Sequence, residues 1–143
     1  MAVESGVYPC YENQFQVKAD GTYATIADME TFSVSIDNGV EEWTPFEQEG
    51  WKRRLMTAKS ITLAVNGKRN IGDTGNDYIA GLFMSNGQAA QSDFKWTFPD
   101  GGSLEFVDAV VNITNMGAGD STAVAPLEFE LMSNGKPTYT PAA

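Results

Sequence analysis

Apolar and polar residues alternate strictly at Phe32, Val34 and Ile36 against Thr31, Ser33 and Ser35, and again at Ile61, Leu63 and Val65 against Thr62, Ala64 and Asn66. A period of two sends successive side chains to opposite faces, so each segment predicts a strand with one dry and one wet face, as in a half-buried antiparallel sheet. Asn66-Gly67 is expected to end the second of these strands with a turn. Phe94, Trp96 and Phe98 alternate with Lys95 and Thr97 up to Pro99-Asp-Gly-Gly102, and Ser103 then opens the return strand of a hairpin. In that return strand the apolar phase moves from Leu104 and Phe106 to Val107, Ala109, Val111 and Ile113, which predicts either a bulge or burial on both faces. Beyond the flexible loop at residues 117–121, Ala125, Leu127, Phe129 and Leu131 alternate with Glu128 and Glu130 in a last strand before a Pro-rich tail. Near the start, Phe15 and Val17 precede Asp20-Gly21, whose backbone suits a tight hairpin, and Tyr23 and Ile26 follow it. Residues 1–13, with Tyr8, Pro9 and Tyr11, read as an N-terminal arm that orders by docking on a neighbour.

The helical period occurs once. Thr74 is the expected N-cap, with Asp77 three residues on as its capping-box partner, and Tyr78, Ile79, Leu82 and Phe83 form the apolar stripe before a stop at Asn86-Gly87. The pattern predicts a single domain spanning residues 1–143, mainly β, built as an antiparallel β-sandwich or barrel-forming subunit with one packed α-helix.

The stretch from Asn38 to Thr57 fits neither period. It reads as a long inter-strand docking loop carrying two Trp and one Phe, Trp43, Trp51 and Phe46, which a compact domain leaves on a connection of this length when something covers them. Its charges are split by sign: Glu41, Glu42, Glu47 and Glu49 come first, and Lys52, Arg53 and Arg54 follow. Such a strip can meet a copy of itself acidic half to basic half, the heterologous contact that builds rings and filaments. The expected subunit-interface residues are therefore Trp43, Phe46, Glu47, Glu49, Trp51, Arg53 and Arg54, on an arm that is mobile in the lone subunit. The same three rings could serve as the sugar-stacking platform of a carbohydrate-binding β-sandwich module. Against that, they ride an arm bent at Gly39 and Gly50 beside a basic cluster, rather than a rigid sheet face.

Composition narrows the chemistry. A chain of 143 residues with 42% hydrophobic content can bury roughly 70% of its unfolded surface without a staple. The single Cys10 leaves no intrachain disulfide, and the absence of an apolar leader or a run of ~20 apolar residues predicts a soluble chain made in the cytosol, with no membrane partner. Nine Lys and Arg against 19 Asp and Glu give a net charge of −10, which repels the DNA polyanion. No His is present, so the commonest general base and zinc ligand are both missing. Asp73-Thr74-Gly75 matches the tripeptide of aspartic proteases, but its position ahead of a helix fits a cap. Asp73, Asn76 and Asp77 lack the other ligands of a calcium loop, and the sequon Asn112-Ile-Thr114 lies in a predicted strand of a chain without an export signal. No catalytic residue, metal or cofactor is expected; the chain reads as a non-enzyme.

The segment from Ile26 to about Leu82 resembles the major tail tube proteins of tailed phages infecting Gram-positive bacteria. The likeness is strongest in Val40-Glu-Glu-Trp-Thr-Pro-Phe-Glu-Gln-Glu-Gly-Trp-Lys-Arg-Arg-Leu-Met-Thr57, Ser60-Ile-Thr-Leu-Ala-Val-Asn-Gly-Lys-Arg69 and Gly72-Asp-Thr-Gly-Asn-Asp-Tyr78; the flanks resemble the family less. The resemblance implies a β-sandwich with one packed helix, assembled as hexameric rings that stack into the hollow tube through which DNA leaves the virion. It also implies tape-measure, tail-terminator and distal-tail partners, a place in the virion tail, and assembly in the host cytoplasm. A baseplate or adhesion component of the same fold would look alike. An acidic wall would let DNA slide without specific binding, and the wet strand faces nominate Thr31, Ser33, Ser35, Thr62, Asn66, Glu128 and Glu130 as lumen residues.

Overall fold

The alternating segments form strands β1 (Gln14–Ala19), β2 (Thr22–Thr25), β3 (Met29–Trp43), β4 (Arg53–Lys68), β5 (Gln91–Thr97), β6 (Ser103–Met116) and β7 (Pro126–Met132) in a computed structural model that describes residues 6–142. They join one antiparallel sheet in the order β2-β1-β5-β6-β7-β4-β3. A short β8 (Thr138–Thr140), inside the tail that showed only prolines in sequence, pairs with Ser103 to Glu105 at the start of β6. The N-terminal arm is described from residue 6 onward, as an extended run and a 3₁₀ turn at Cys10–Glu12; residues 1–5 of the expected arm lie outside the described residues.

The mainly β, antiparallel architecture with one helix is as expected, but its two walls are halves of one sheet. Phe15 on β1 and Phe32 on β3 stand far apart in strand order, yet their rings meet edge to face at 4.8 Å, and Phe32 meets Trp96 at 5.6 Å. Contact across that separation requires the sheet to curl around its apolar face. Val17, Leu63, Val65, Phe94, Phe106 and Phe129 fill the enclosed space, each contributing about 1.5–3 kcal/mol by leaving water.

Local sequence explains the irregularities. Asp20 (φ 51°) and Gly21 (φ 83°) make the left-handed two-residue turn of the β1–β2 hairpin. In β6, Val107 and Asp108 together oppose Asp93, whose Oδ1 accepts the Asp108 N–H at 3.0 Å. This bulge resets the phase, so Phe106 and Ala109 both face the core while Val107 is exposed. Asn66-Gly67 does not turn: β4 continues to Lys68, and a Cβ at Gly67 would stand 2.5 Å from Met29 Cα and closer still to the Asp28 carbonyl. Gly67 is there for close backbone approach.

Helix α1 (Thr74–Ala80) begins one residue earlier than the capping pattern suggested. Asp73, not Thr74, is the N-cap: its Oδ2 accepts the Asn76 N–H at 3.0 Å and the Ala27 N–H at 3.1 Å. Thr74 is the first helical residue, and Asp77 faces away from the cap to accept from Arg69 Nη1 at 2.7 Å and the Gly72 N–H. The helix gives way to a 3₁₀ turn at Gly81–Met84, which leaves Phe83 outside the buried stripe of Ile79, Tyr78 and Leu82. Asn76, which the sequence suggested only as a member of a deficient calcium loop, is fully buried. Its amide donates to the carbonyls of Ala27 (3.1 Å) and Lys68 (2.9 Å), and its Oδ1 accepts from Arg69 (2.9 Å) and the Asn70 N–H (3.0 Å). One side chain thus ties α1, the β2–β3 linker and the end of β4 together.

Candidate functional site

The expected irregular arm from Asn38 to Thr57 is instead mostly paired backbone. Asn38 to Trp43 face Lys59 to Arg53 across the β3–β4 ladder, and residues 44–52 make the reversal, which contains a 3₁₀ turn at Phe46–Gln48. A register shift between Gly39 and Val40, with Thr57 as the extra residue, breaks the alternation and hid the strands in sequence. β4 pairs with β7 from Thr62 onward, and Ile61 still exchanges hydrogen bonds with Ser133, so from Arg53 to Ser60 β3 is the only strand paired with β4 among the described residues and the hairpin leaves the body as a two-stranded ribbon.

The ribbon is apolar on both sides. Val40 and Met56 line one side, which Val34 and Ile36 continue on the adjoining body of the sheet, and Leu55 and Trp43 line the other, all exposed, while at the tip Phe46 is bare (105%) and Trp51 is 76% exposed. The split of charge has a local cause: the acidic and basic halves flank the reversal and meet across the ladder. Glu42 pairs with Arg54 at 3.2 Å and with Lys52 at 4.0 Å, so Arg54, expected to pair with another copy, is engaged within its own hairpin. Exposed pairs of this kind contribute about 0–1 kcal/mol. Glu47, Glu49 and Arg53 enter no ion pair among the described residues.

The seven polar residues nominated from alternation converge on one face. The ladder places Thr31, Asn66 and Glu128 in one cross-strand row, Ser33, Ala64 and Glu130 in the next, and Ser35 beside Thr62 in a third. Asn115 and Asn112 on β6 extend the first two rows by donating to Glu128 (3.1 Å) and Glu130 (3.2 Å). Register also continues this face beyond the nominated residues, through Glu105, Lys95, Gln16 and Thr25 in a single row. Lys18 lies 3.8 Å from Asp93, and burial followed by the negative charge of Glu105 raises the pKa of the neighbouring Tyr23, keeping its phenol protonated. The outward positions of β1 and β5 carried this signal in their own alternation.

Asp73 of the protease-like tripeptide spends its carboxylate on the helix cap. Among the described residues no group of three or more His, Cys, Asp or Glu is placed to hold a metal ion, and no helix is long and apolar enough to cross a membrane.

No protein-family model and no curated protein matches this chain. Solved structures do. A chain in the tail of an empty GTA particle, refined helically with C6 symmetry, is 20% identical with a TM-score of 0.75 and covers 94% of this chain and 100% of its own. A chain of the native gene transfer agent virion is 21% identical with a TM-score of 0.73, over 94% of this chain and 100% of that one. A chain from the PVC sheath/tube terminator of an extracellular contractile injection system, in its extended state, is 17% identical with a TM-score of 0.68, over 98% and 100%. At these identities the likeness is one of fold.

Proposed function

We propose that this chain is the repeating structural subunit of a tail tube, assembled six to a ring, with the rings stacked into a hollow conduit for DNA. The observation that carries the reading is one curled sheet whose two outermost strands, β2 and β3, each hydrogen-bond on one side only among the described residues, with a mainly polar outward face interrupted by Ala64, Val110 and Met132. Open edges of this kind invite pairing. Joining β3 of one copy to β2 of the next closes the sheets into a barrel without edges. The apolar face is already covered by α1 and by the curl, so the polar face turns inward, and Thr31, Ser33, Ser35, Thr62, Asn66, Glu128 and Glu130 line the lumen. Sixfold rings follow the C6 symmetry of the GTA tail that shares the fold.

The ribbon then docks on neighbouring copies, with Trp43, Phe46 and Trp51 as buried anchors and Glu47, Glu49 and Arg53 as the charges left for intersubunit pairing. Arg54 contributes by holding Glu42 in place. The motif resemblance supports a tailed phage of Gram-positive bacteria as the source, with tape-measure, terminator and distal-tail proteins as further partners, assembly in the host cytoplasm and residence in the virion tail. The role is structural rather than enzymatic, and DNA passes without specific binding.

Light scattering after size exclusion, with negative-stain microscopy across a concentration series, tests the reading. Stacked rings or tubes that vanish in Trp51→Ala, while its circular dichroism and melting match the parent, are the expected result. A monomer at every concentration, even with a tail-initiating complex added, would sink it and direct the next experiment to a glycan array.

A further inference from the structure

The dipeptide Asn-Gly occurs four times, at Asn38, Asn66, Asn86 and Asn134, and the fold treats the four differently. Asn38 and Asn66 lie in the β3–β4 ladder, opposite Lys59 and Thr31. Lys59 Nζ donates to Asn38 Oδ1 at 2.8 Å. Asn66 is also paired with Glu128 on β7, and the glycine after it is buried. Asn134 is exposed, but its Nδ2 donates to the Asp108 carbonyl at 3.1 Å. Asn86 lies in the connection from α1 to β5, between the 3₁₀ turn at Gly81–Met84 and another at Gly87–Ala90. It is exposed, as is Gly87, and its side chain caps nothing. The Gly87 N–H has no backbone acceptor among the described residues.

We propose that Asn86 is a self-modification site, where the chain deamidates with water as the only co-reactant. The Gly87 nitrogen gives up its proton to hydroxide and attacks Asn86 Cγ. A nitrogen–Cγ bond forms, the Cγ–Nδ2 bond breaks, and Nδ2 leaves as ammonia after taking up a proton. Water then opens the cyclic imide. Cleavage at Cγ gives aspartate, and cleavage at the main-chain carbonyl gives isoaspartate, whose backbone runs through Cβ and Cγ and is one atom longer. Ring closure needs a free side chain, a free nitrogen, rotation about the Asn86 backbone and no Cβ on the next residue to crowd the approach. Asn86 meets these conditions, whereas Asn38 and Asn66 must first break out of the ladder by local unfolding. The surroundings also tolerate the product. Tyr78 Oη and Ser92 Oγ, 2.8 Å apart, tie α1 to β5 across this connection, so the exposed turn between them takes up the extra atom and the new carboxylate. The inference stands apart from the tube reading.

The full chain, held in mildly alkaline buffer and sampled over time, tests this by peptide mapping with electron-transfer fragmentation, which separates aspartate from isoaspartate. Asn86 is expected to convert first, at least about tenfold faster than Asn38 and Asn66, a barrier difference of ~1.4 kcal/mol. It should also lead Asn134, whose leaving nitrogen must first release the Asp108 carbonyl. In urea the four rates should draw together, because the same dipeptide then meets the same surroundings. Asn86→Gln, which would have to close a less favoured six-membered ring, should hold its intact mass over the period in which the parent exchanges NH for oxygen. An unreacted Asn86 in the folded chain, or earlier conversion at any of the other three, would overturn the assignment. The same ranking in urea would also overturn it, since sequence neighbours rather than the fold would then set the order.

Discussion

Truncating Asn76 to Ala removes the one buried side chain that joins the helix, the β2–β3 linker and the end of β4. All of its hydrogen-bonding capacity is used: two donors to the carbonyls of Ala27 and Lys68, and an oxygen shared by Arg69 and the Asn70 N–H. Arg69 keeps its bonds to Asp77 at 2.7 Å and to the Asn70 carbonyl at 3.1 Å, so its loss is small. Three backbone groups lose a partner, at about 1 kcal/mol each, and more wherever water cannot enter. The expected cost is about 3–4 kcal/mol, a large share of the ~5–15 kcal/mol that holds a domain of this kind. At roughly 3–5 °C per kcal/mol for a chain of this length, the melting temperature should fall by roughly 10–15 °C in circular dichroism, with a matching shift of the urea midpoint. Asn76→Asp separates shape from chemistry. It preserves the outline and the acceptor contacts but aims an oxygen at two carbonyls, and it should recover no more than about 1 kcal/mol of the loss. A drop of less than about 1 kcal/mol in the Ala variant, or full stability in the Asp variant, would refute the hub.

Three further outcomes are expected. Gly67→Ala forces a methyl into the Asp28–Met29 backbone and should cost at least about 1–3 kcal/mol; an unchanged urea midpoint would mean that the β2–β3 linker yields freely. Glu128→Lys combined with Glu130→Lys should leave tube formation intact and slow DNA ejection several-fold, most at low salt where the charges are least screened; unaltered ejection kinetics would take both residues out of the lumen. Asp77 has its pKa lowered, first by the hydrogen bond from Arg69, so its stabilisation is complete above the unfolded carboxylate value of ~3.9 and is lost as pH falls through the folded value. The stability gap between the parent and Asp77→Asn should accordingly be constant near neutrality and close below about pH 4, and a gap that persists in strong acid would contradict the Arg69 contact.

The parts that were legible in sequence are those set by the backbone over a few residues. Alternation at Phe32 to Ile36, Ile61 to Val65 and Leu127 to Leu131 placed β3, β4 and β7, because side-chain direction in a strand depends only on parity. The same parity assembled Thr31, Ser33, Ser35, Thr62, Asn66, Glu128 and Glu130 on a shared face before any pairing was known. The phase shift near Val107 signalled either a bulge or burial on both faces, of which the structure has the bulge, and Trp43, Phe46 and Trp51 are left exposed by the fold.

What failed to show was whatever depends on distance through space. The extra residue at Thr57 scrambled the alternation, so a paired ribbon looked like a loop. The N-cap was misplaced by one residue because Asp73 and Thr74 are both competent, and the choice is made by the Ala27 N–H, remote in sequence, which only Asp73 reaches. Gly67 looks like a turn residue until the Asp28 backbone is seen lying against it. Sequence by itself determined the strands, their two faces, the acidic balance and the lack of histidine, all of which are local or additive properties. Tertiary structure alone decided that the walls are one curled sheet closed by Phe15 on Phe32 and that Asn76 is a hub, since these depend on which remote segments meet when the apolar face leaves water.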